Sequence, residues 1–205
     1  MRILCLHGFG QNASNFQGKT GGLRRVLKRF ADLEYIQAPL QLTPSTADQT
    51  ESSPGYTWWR FDAETKEYEG WKDSVAYIRN YIVNNGPFDG LFGFSQGASM
   101  LYVLCALQQQ EVNSGQLAQP WHMKFGIFCG GFLPRDPAIP QLPQSQIIIP
   151  TLHIIGQSDE TVPADKSEGL ARMFADPDIY RHPAGHFIPT VVEAAEQYRQ
   201  FMSKL

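Results

Sequence analysis

The run PFDGLFGFSQGASMLYVL, residues 87–104, sets a serine between two glycines where an apolar stretch gives way to a helical one. Its centre is GFSQG, Gly93 to Gly97. Residues 90–94 are apolar without alternation, the pattern of a strand buried on both faces of a parallel sheet. Met100, Leu101, Val103, Leu104 and Leu107 leave the next segment little polar face, so it predicts a helix packed on most sides. A serine on such a strand-to-helix turn is either a plain turn former or a nucleophile lifted above the sheet edge. The second reading explains the glycines, because strand and helix pass too closely at 93 and 97 for side chains. The remainder of the chain has to decide between the two.

Further continuous apolar runs are ILCL (3–6), LEYI (33–36), KFGIFC (124–129) and TLHII (151–155), and IYRH (179–182) also reads as a strand. Helical stripes lie between them. One is Leu23, Val26, Leu27 and Phe30; another is Trp71, Val75, Ile78 and Ile82; the last is Val191, Ala195, Tyr198 and Met202, with Pro189 near its start. This alternation predicts an α/β fold with a mostly parallel sheet and helices on both faces. No repeat and no linker divides the chain, so residues 1–205 are expected to form one domain. Two stretches fit no element. Residues 41–70 carry Pro44, Pro54, Gly55 and the aromatic set YTWWRF, and read as an aromatic lid or substrate-wall loop. Residues 132–150 carry five prolines and read equally as a lid or as a surface excursion.

The 205 residues are 42 % hydrophobic and 18 % charged, which argues for a large core and against disorder. A formal charge of −3 gives no electrostatic footprint for nucleic acid or an anionic membrane, so a small neutral or apolar partner is expected. Cys5, Cys105 and Cys129 are odd in number, form no CxxC pair and sit in apolar runs. That predicts free thiols in a reducing compartment, hence a cytoplasmic protein. The opening MRILCLHGFG is too short an apolar run for a signal peptide, and no run reaches the ~18 apolar residues of a membrane span.

A serine hydroxyl needs a base to become a nucleophile, and the base needs an orienting carboxylate. On this kind of sheet they follow in the order Ser, Asp or Glu, His. IIGQSDETVP (154–163) places Asp159 just after a strand, and IYRHPAGHFIP (179–189) holds His182 and His186. His186 follows a glycine in the loop opening the last helix and can reach back over the sheet, whereas His182 belongs to the strand. Ser95, Asp159 and His186 are therefore the predicted catalytic set. Backbone N–H groups of Gln96 and of Phe9, with Gly8 or Gly10 as alternatives, are the predicted oxyanion donors. His7, ending the first strand, reads as an orienting or packing histidine rather than a base.

HGFGQN (7–12), PFDGLFGFSQGA (87–98), GxxDxxVP (156–163), PAGHFIP (183–189) and WWRFDAETKEYEGW (58–71) together resemble the FSH family of serine hydrolases along nearly the whole chain. The resemblance implies an α/β-hydrolase fold without a large separate cap. It also implies carboxylesterase or thioesterase activity, with Ser95 as nucleophile, Asp159 as orienting acid and His186 as base. No metal or organic cofactor is needed. Residues 132–150 have no match in that resemblance.

Trp58, Trp59 and Phe61 are many large aromatics for a loop. They either pack on the core or fold over Ser95 as an apolar wall. Phe132 and Phe187 join Trp58 and Trp59 as candidate substrate contacts, with Phe9 and Phe94 flanking catalytic positions. The expected substrate is a small acyl ester or thioester with an apolar chain. Two rival readings are a peptidase and a non-catalytic receptor on the same fold; the complete Ser, Asp, His order argues against the receptor. A neutral imidazole is required of the base, so activity is expected to fall on the acidic side.

Overall fold

A computed structural model describes residues 1–43, 54–65, 67–116, 119–140, 142–144 and 146–205. The chain runs through β1 (Arg2–Leu6), α1 (Ala13–Lys19), α2 (Gly21–Leu27), β2 (Asp32–Ile36), β3 (Leu40–Gln41), β4 (Tyr56–Thr57), β5 (Arg60–Phe61) and β6 (Tyr68–Glu69). It continues with α3 (Trp71–Asn85), β7 (Gly90–Phe94), α4 (Gln96–Asn113), β8 (Phe125–Cys129), β9 (Thr151–Gly156), α5 (Ala164–Ala171), β10 (Pro177–His182) and α6 (Val192–Ser203).

Six strands form one sheet in the order β10-β9-β8-β7-β1-β2, with every pairing parallel. Successive strand residues face opposite cores, as the period of two requires. Leu4, Leu6, Leu91 and Phe128 join Trp71, Val75, Ile78 and Ile82 of α3 and the apolar residues of α4 on one face. Ile3, Cys5, Phe92, Phe94, Ile127, Leu152 and Ile154 join Phe16, Leu23, Leu27, Tyr198, Phe201 and Met202 on the other. Helices thus cover both faces, and this explains the unbroken apolar runs. Full burial of each large side chain contributes about 1.5–3 kcal/mol.

The strand order reverses between β1 and β7: β2 follows to one side, and β7 to β10 follow to the other. In open parallel sheets the loops leaving the carboxyl ends of such a strand pair diverge and open a crevice. The loop after β1 and the GFSQG turn flank it.

The structure departs from the sequence expectation at several places. The last helix begins at Val192, and Val191 is an extended cap left more than half exposed instead of lying on the buried stripe. Phe30 falls beyond the end of α2 but still packs on the core. Residues 41–70 contain, where described, two short antiparallel ribbons, β3–β4 and β5–β6. Pro44 and the rest of 44–53, with Lys66, lie outside the described residues. The described part of 132–150 has no helix or strand, only an isolated bridge from Ile147 to Phe174. It is nonetheless fastened: buried Asp136 accepts the Tyr68 N–H (2.6 Å) and the Ala138 N–H (2.7 Å). Among the described residues no helix is long and apolar enough to cross a membrane, and the three cysteines are free and buried.

Candidate active site

Ser95 has φ 54° and ψ −121°, the only positive φ on a non-glycine residue among those described. A side chain held in such a conformation stores about 1–3 kcal/mol of strain and persists only where the surroundings impose it. The imposition is visible on both sides. A Cβ at Gly93 would lie 2.5 Å from Ala98 Cα, and one at Gly97 would collide with the carbonyl of Leu6. The Ser95 N–H closes the ladder on Cys129 O (2.9 Å), and Ser95 caps α4. The hydroxyl therefore stands at the amino end of an 18-residue helix, where unpaired N–H groups and the helix dipole favour negative charge.

Asp159 lies three residues beyond β9 and His186 four beyond β10. Gly156 lets the second loop cross the end of β9, since a Cβ there would meet Gly185 O at 2.7 Å. Bonds from Gln157 N to His182 O (2.8 Å), Ser158 N to Ala184 O (3.2 Å) and Ser158 Oγ to Pro183 O (2.8 Å) stitch the two loops together. The result is a 2.6 Å contact between His186 Nδ1 and Asp159 Oδ2. Asp159 is buried, and its other oxygen accepts the N–H groups of Thr161 (2.9 Å) and Val162 (2.8 Å). With its carboxylate an acceptor only, Nδ1 carries the proton and Nε2 is left as the acceptor. The imidazole rests on Phe94, the residue before Ser95, with ring centroids 4.8 Å apart. The ring also lies against Gly130 (φ 57°), where a Cβ would sit 2.9 Å from Cε1. The Ser95 hydroxyl makes no hydrogen bond among the described residues.

The loop after β1 sorts its own donors. The Gly8 N–H is bound to Gln11 Oε1 (2.9 Å) and the Gly10 N–H to Tyr56 O (3.0 Å). Of the three candidates only the Phe9 N–H has no acceptor among the described residues. A Cβ at Gly8 would be 3.2 Å from Ser95 Cβ, so this loop lies directly against the serine. Gln96, as the first helical residue, likewise has an N–H with no intrahelical partner.

His7 is fully buried, with Nδ1 donating to Gly8 O (2.8 Å) and Nε2 accepting the Ala38 N–H (3.1 Å). Burial holds its pKa below the ordinary imidazole value, so it is a neutral structural residue. His182 is buried, and burial pushes its pKa down against the opposing pull of the Asp159 charge; its ring packs edge-on to Phe187.

The aromatic wall expected from the sequence is built differently. Trp58 and Trp59 are buried in the core and offer no face to a ligand. The Trp58 indole donates to His7 O (2.8 Å), and Trp59 stacks on Tyr68 at 5.0 Å. Both take the packing reading: the Trp58 indole N–H finds its partner inside, and the Trp59 ring finds a stacking face there. Phe132 is half-buried against the same core. Phe9 and Phe187 remain large exposed aromatics beside the serine and the imidazole, 60 % and 46 % exposed. Sequence reasoning missed Gly130, signalled only by the GG after a strand, and the side-chain role of Gln96. Among the described residues no group of three His, Cys, Asp or Glu side chains could hold a metal ion.

Comparison with known proteins adds three results. The family profile described as "Serine hydrolase (FSH1)" matches residues 1–198. "Esterase OVCA2" of Danio rerio is 31 % identical over 229 residues, covering 100 % of this chain and 97 % of that protein. "Esterase C25G4.2" of Caenorhabditis elegans is 35 % identical, covering 98 % and 92 %. Among solved structures, Arabidopsis thaliana SOBER1 superposes with a TM-score of 0.67 at 17 % identity, covering 100 % of this chain and 98 % of that one. Zea mays acyl-protein thioesterase 2 gives 0.62 at 18 % identity, covering 98 % and 93 %. At these identities the structural likeness speaks for the fold, that of the α/β hydrolases.

Proposed function

Because this chain belongs to the FSH1 family of serine hydrolases, we propose that it cleaves carboxylic esters or thioesters of apolar acyl groups through Ser95, His186 and Asp159. The observation that carries the reading is the 2.6 Å Asp159–His186 contact, with the imidazole resting on Phe94, the neighbour of a serine held at positive φ. In the cycle, Ser95 Oγ attacks the acyl carbonyl while Nε2 of His186 takes its proton. Asp159 keeps Nδ1 protonated and stabilises the imidazolium. The N–H groups of Phe9 and Gln96 receive the developing oxyanion. The tetrahedral adduct collapses, the C–O or C–S bond breaks, and the imidazolium returns its proton to the leaving alcohol or thiol. Water, deprotonated by His186, then attacks the acyl-enzyme and restores the hydroxyl.

The exposed Phe9 and Phe187 support an apolar acyl chain, now without Trp58 and Trp59 in its wall. A fluorophosphonate probe tests the core of the proposal. Wild-type protein should be labelled at Ser95 and should hydrolyse p-nitrophenyl esters, and Ser95→Ala should do neither. A folded wild-type protein that resists the probe would overturn the assignment and favour a receptor.

A further inference from the structure

The sheet aligns the two arms of the oxyanion hole only as far as its rim. The last ladder pair between their strands is Leu6 with Gly93, and beyond it the chain diverges into the loop 7–11 and the turn at Ser95. A separate segment, Tyr56–Trp59, bonds to both. Toward the first arm, Tyr56 N–H donates to Gln11 O (2.9 Å), Tyr56 O accepts the Gly10 N–H (3.0 Å), and the Trp58 indole N–H donates to His7 O (2.8 Å). Toward the second, the partners all belong to the Gln96 carboxamide. Its Oε1 accepts from Trp58 N–H (3.1 Å), its Nε2 donates to Trp59 O (3.0 Å), and the single Thr57 Oγ1 proton lies between Gln96 Oε1 (2.9 Å) and Trp59 O (2.6 Å). The segment is itself anchored to α3 by Ser74 Oγ donating to Trp58 O (2.6 Å).

We propose that the Gln96 side chain is a positioning residue that fixes the spacing and orientation of the two oxyanion donors. This inference rests on the hydrolase reading above. Gln96 is buried, so its amide satisfies partners rather than solvent. One acceptor oxygen and one donor nitrogen are required at that place: a carboxylate would face Trp59 O with acceptor against acceptor, and a hydrocarbon would leave the Trp58 N–H and Trp59 O bare. The same residue supplies the backbone N–H to the oxyanion, so a carboxamide held on Trp58 N–H and Trp59 O, with the Thr57 hydroxyl against it, also restrains the peptide plane that carries that N–H. Tyr56 and Trp58 transmit the constraint to the loop bearing Phe9. The aromatic segment thus acts on catalysis from inside the protein, as a gauge between two N–H groups.

The test separates a positioning role from a general loss of stability. Gln96→Met, Thr57→Val and Thr57→Ser are assayed with a p-nitrophenyl ester and with an alkyl boronic acid. The serine oxygen adds to boron, and the tetrahedral adduct fills the oxyanion hole. In folded Gln96→Met, kcat should fall about 10- to 100-fold with KM changed less than about threefold. Boronate affinity should weaken by the same factor as kcat/KM. Thr57→Val should move both in the same direction, and Thr57→Ser should restore them. If Gln96→Met does not fold, the Thr57 pair decides by the same two readouts. A kcat within twofold of wild type, or a loss of kcat without loss of boronate affinity, overturns the inference while fluorophosphonate labelling of wild-type Ser95 leaves the hydrolase reading standing. An unlabelled wild type overturns both.

Discussion

Gly130 illustrates how one missing methyl group can hold a histidine in place. Its left-handed backbone (φ 57°) lies under the His186 ring, where an added Cβ would come within 2.9 Å of Cε1 and 3.0 Å of Nδ1. In Gly130→Ala the ring must tilt away from Asp159, and a displacement of that order costs about 10² in rate. Gly115 provides the control: it has φ 79° and open space around its Cα. Gly115→Ala should lose a similar ~1–2 kcal/mol from the left-handed backbone, yet keep wild-type kcat. Equal kcat losses in the two variants would refute the contact argument. His153 makes a different prediction. Packed flat on Phe128 with centroids 4.6 Å apart, it is pushed by burial down to a pKa of about 3. Below pH ~6.5 the unfolded chain binds a proton there that the folded chain refuses. Its contribution is therefore complete above that pH and is lost as the pH falls toward 3, at about 1.4 kcal/mol per unit. His7 and His182 are lowered too and act with the same sign. Urea unfolding should show wild type losing roughly 2 kcal/mol more than His153→Phe between pH 6.5 and 5. The comparison is of slopes, so a packing defect in the variant drops out. Parallel slopes would refute it.

Among the elements, β1, β7, β8 and β9 could be read from the sequence because they are buried almost throughout, β2 and β10 from their short apolar runs although they are half-exposed at the sheet edges, and α3 because Trp71, Val75, Ile78 and Ile82 keep one stripe. By contrast α1 has only Phe16 turned inward, and one buried residue in seven makes no period. The ribbons β3–β4 and β5–β6 offer two residues per strand, too few for alternation to register. In the site, the order of Ser95, Asp159 and His186 was readable because each follows a strand end. Burial of Trp58 was not, because it depends on a carbonyl, His7 O, fifty-one positions away. The described part of 132–150 is the clearest case of hidden order. Prolines erase periodicity, and what fastens it is Asp136, whose two oxygens accept Tyr68 N–H and Ala138 N–H. Tyr68 returns the contact, its hydroxyl accepting the Arg135 N–H at 3.2 Å. Asp136→Ala strands two N–H groups, at about 1–3 kcal/mol each where buried. The variant should unfold at lower urea by roughly 3 kcal/mol and be nicked by protease within 132–150 sooner than wild type. Unchanged stability and an unchanged cleavage pattern would mean that the segment is held elsewhere.

For the molecule as a whole, the reversal of strand order between β1 and β7 explains why residues from both ends of the chain meet. The loop after β1, which carries Phe9, lies against Ser95, and the loop after β10 carries His186 and, next to it, Phe187. Both rings are largely exposed, while the tryptophans that the sequence offered as a wall are sealed in the core. Any preference for apolar chains must then come chiefly from this rim. Burying a methylene contributes about 0.8 kcal/mol, or nearly fourfold in kcat/KM, when burial is complete. A rim contacts a chain on one side only, so the increment should be smaller. From acetyl to octanoyl esters kcat/KM should still rise at least about tenfold. Replacing both rings, Phe9→Ser with Phe187→Ser, should flatten that rise while leaving the acetyl ester within about threefold, because the N–H of residue 9 is a backbone group that survives the change. Stability should hardly move, as neither ring is packed in the core. A series that is flat in the wild type would remove the apolar-chain assignment. A steep series that persists in the double variant would transfer the chain to another surface, with Phe132 the next ring to truncate.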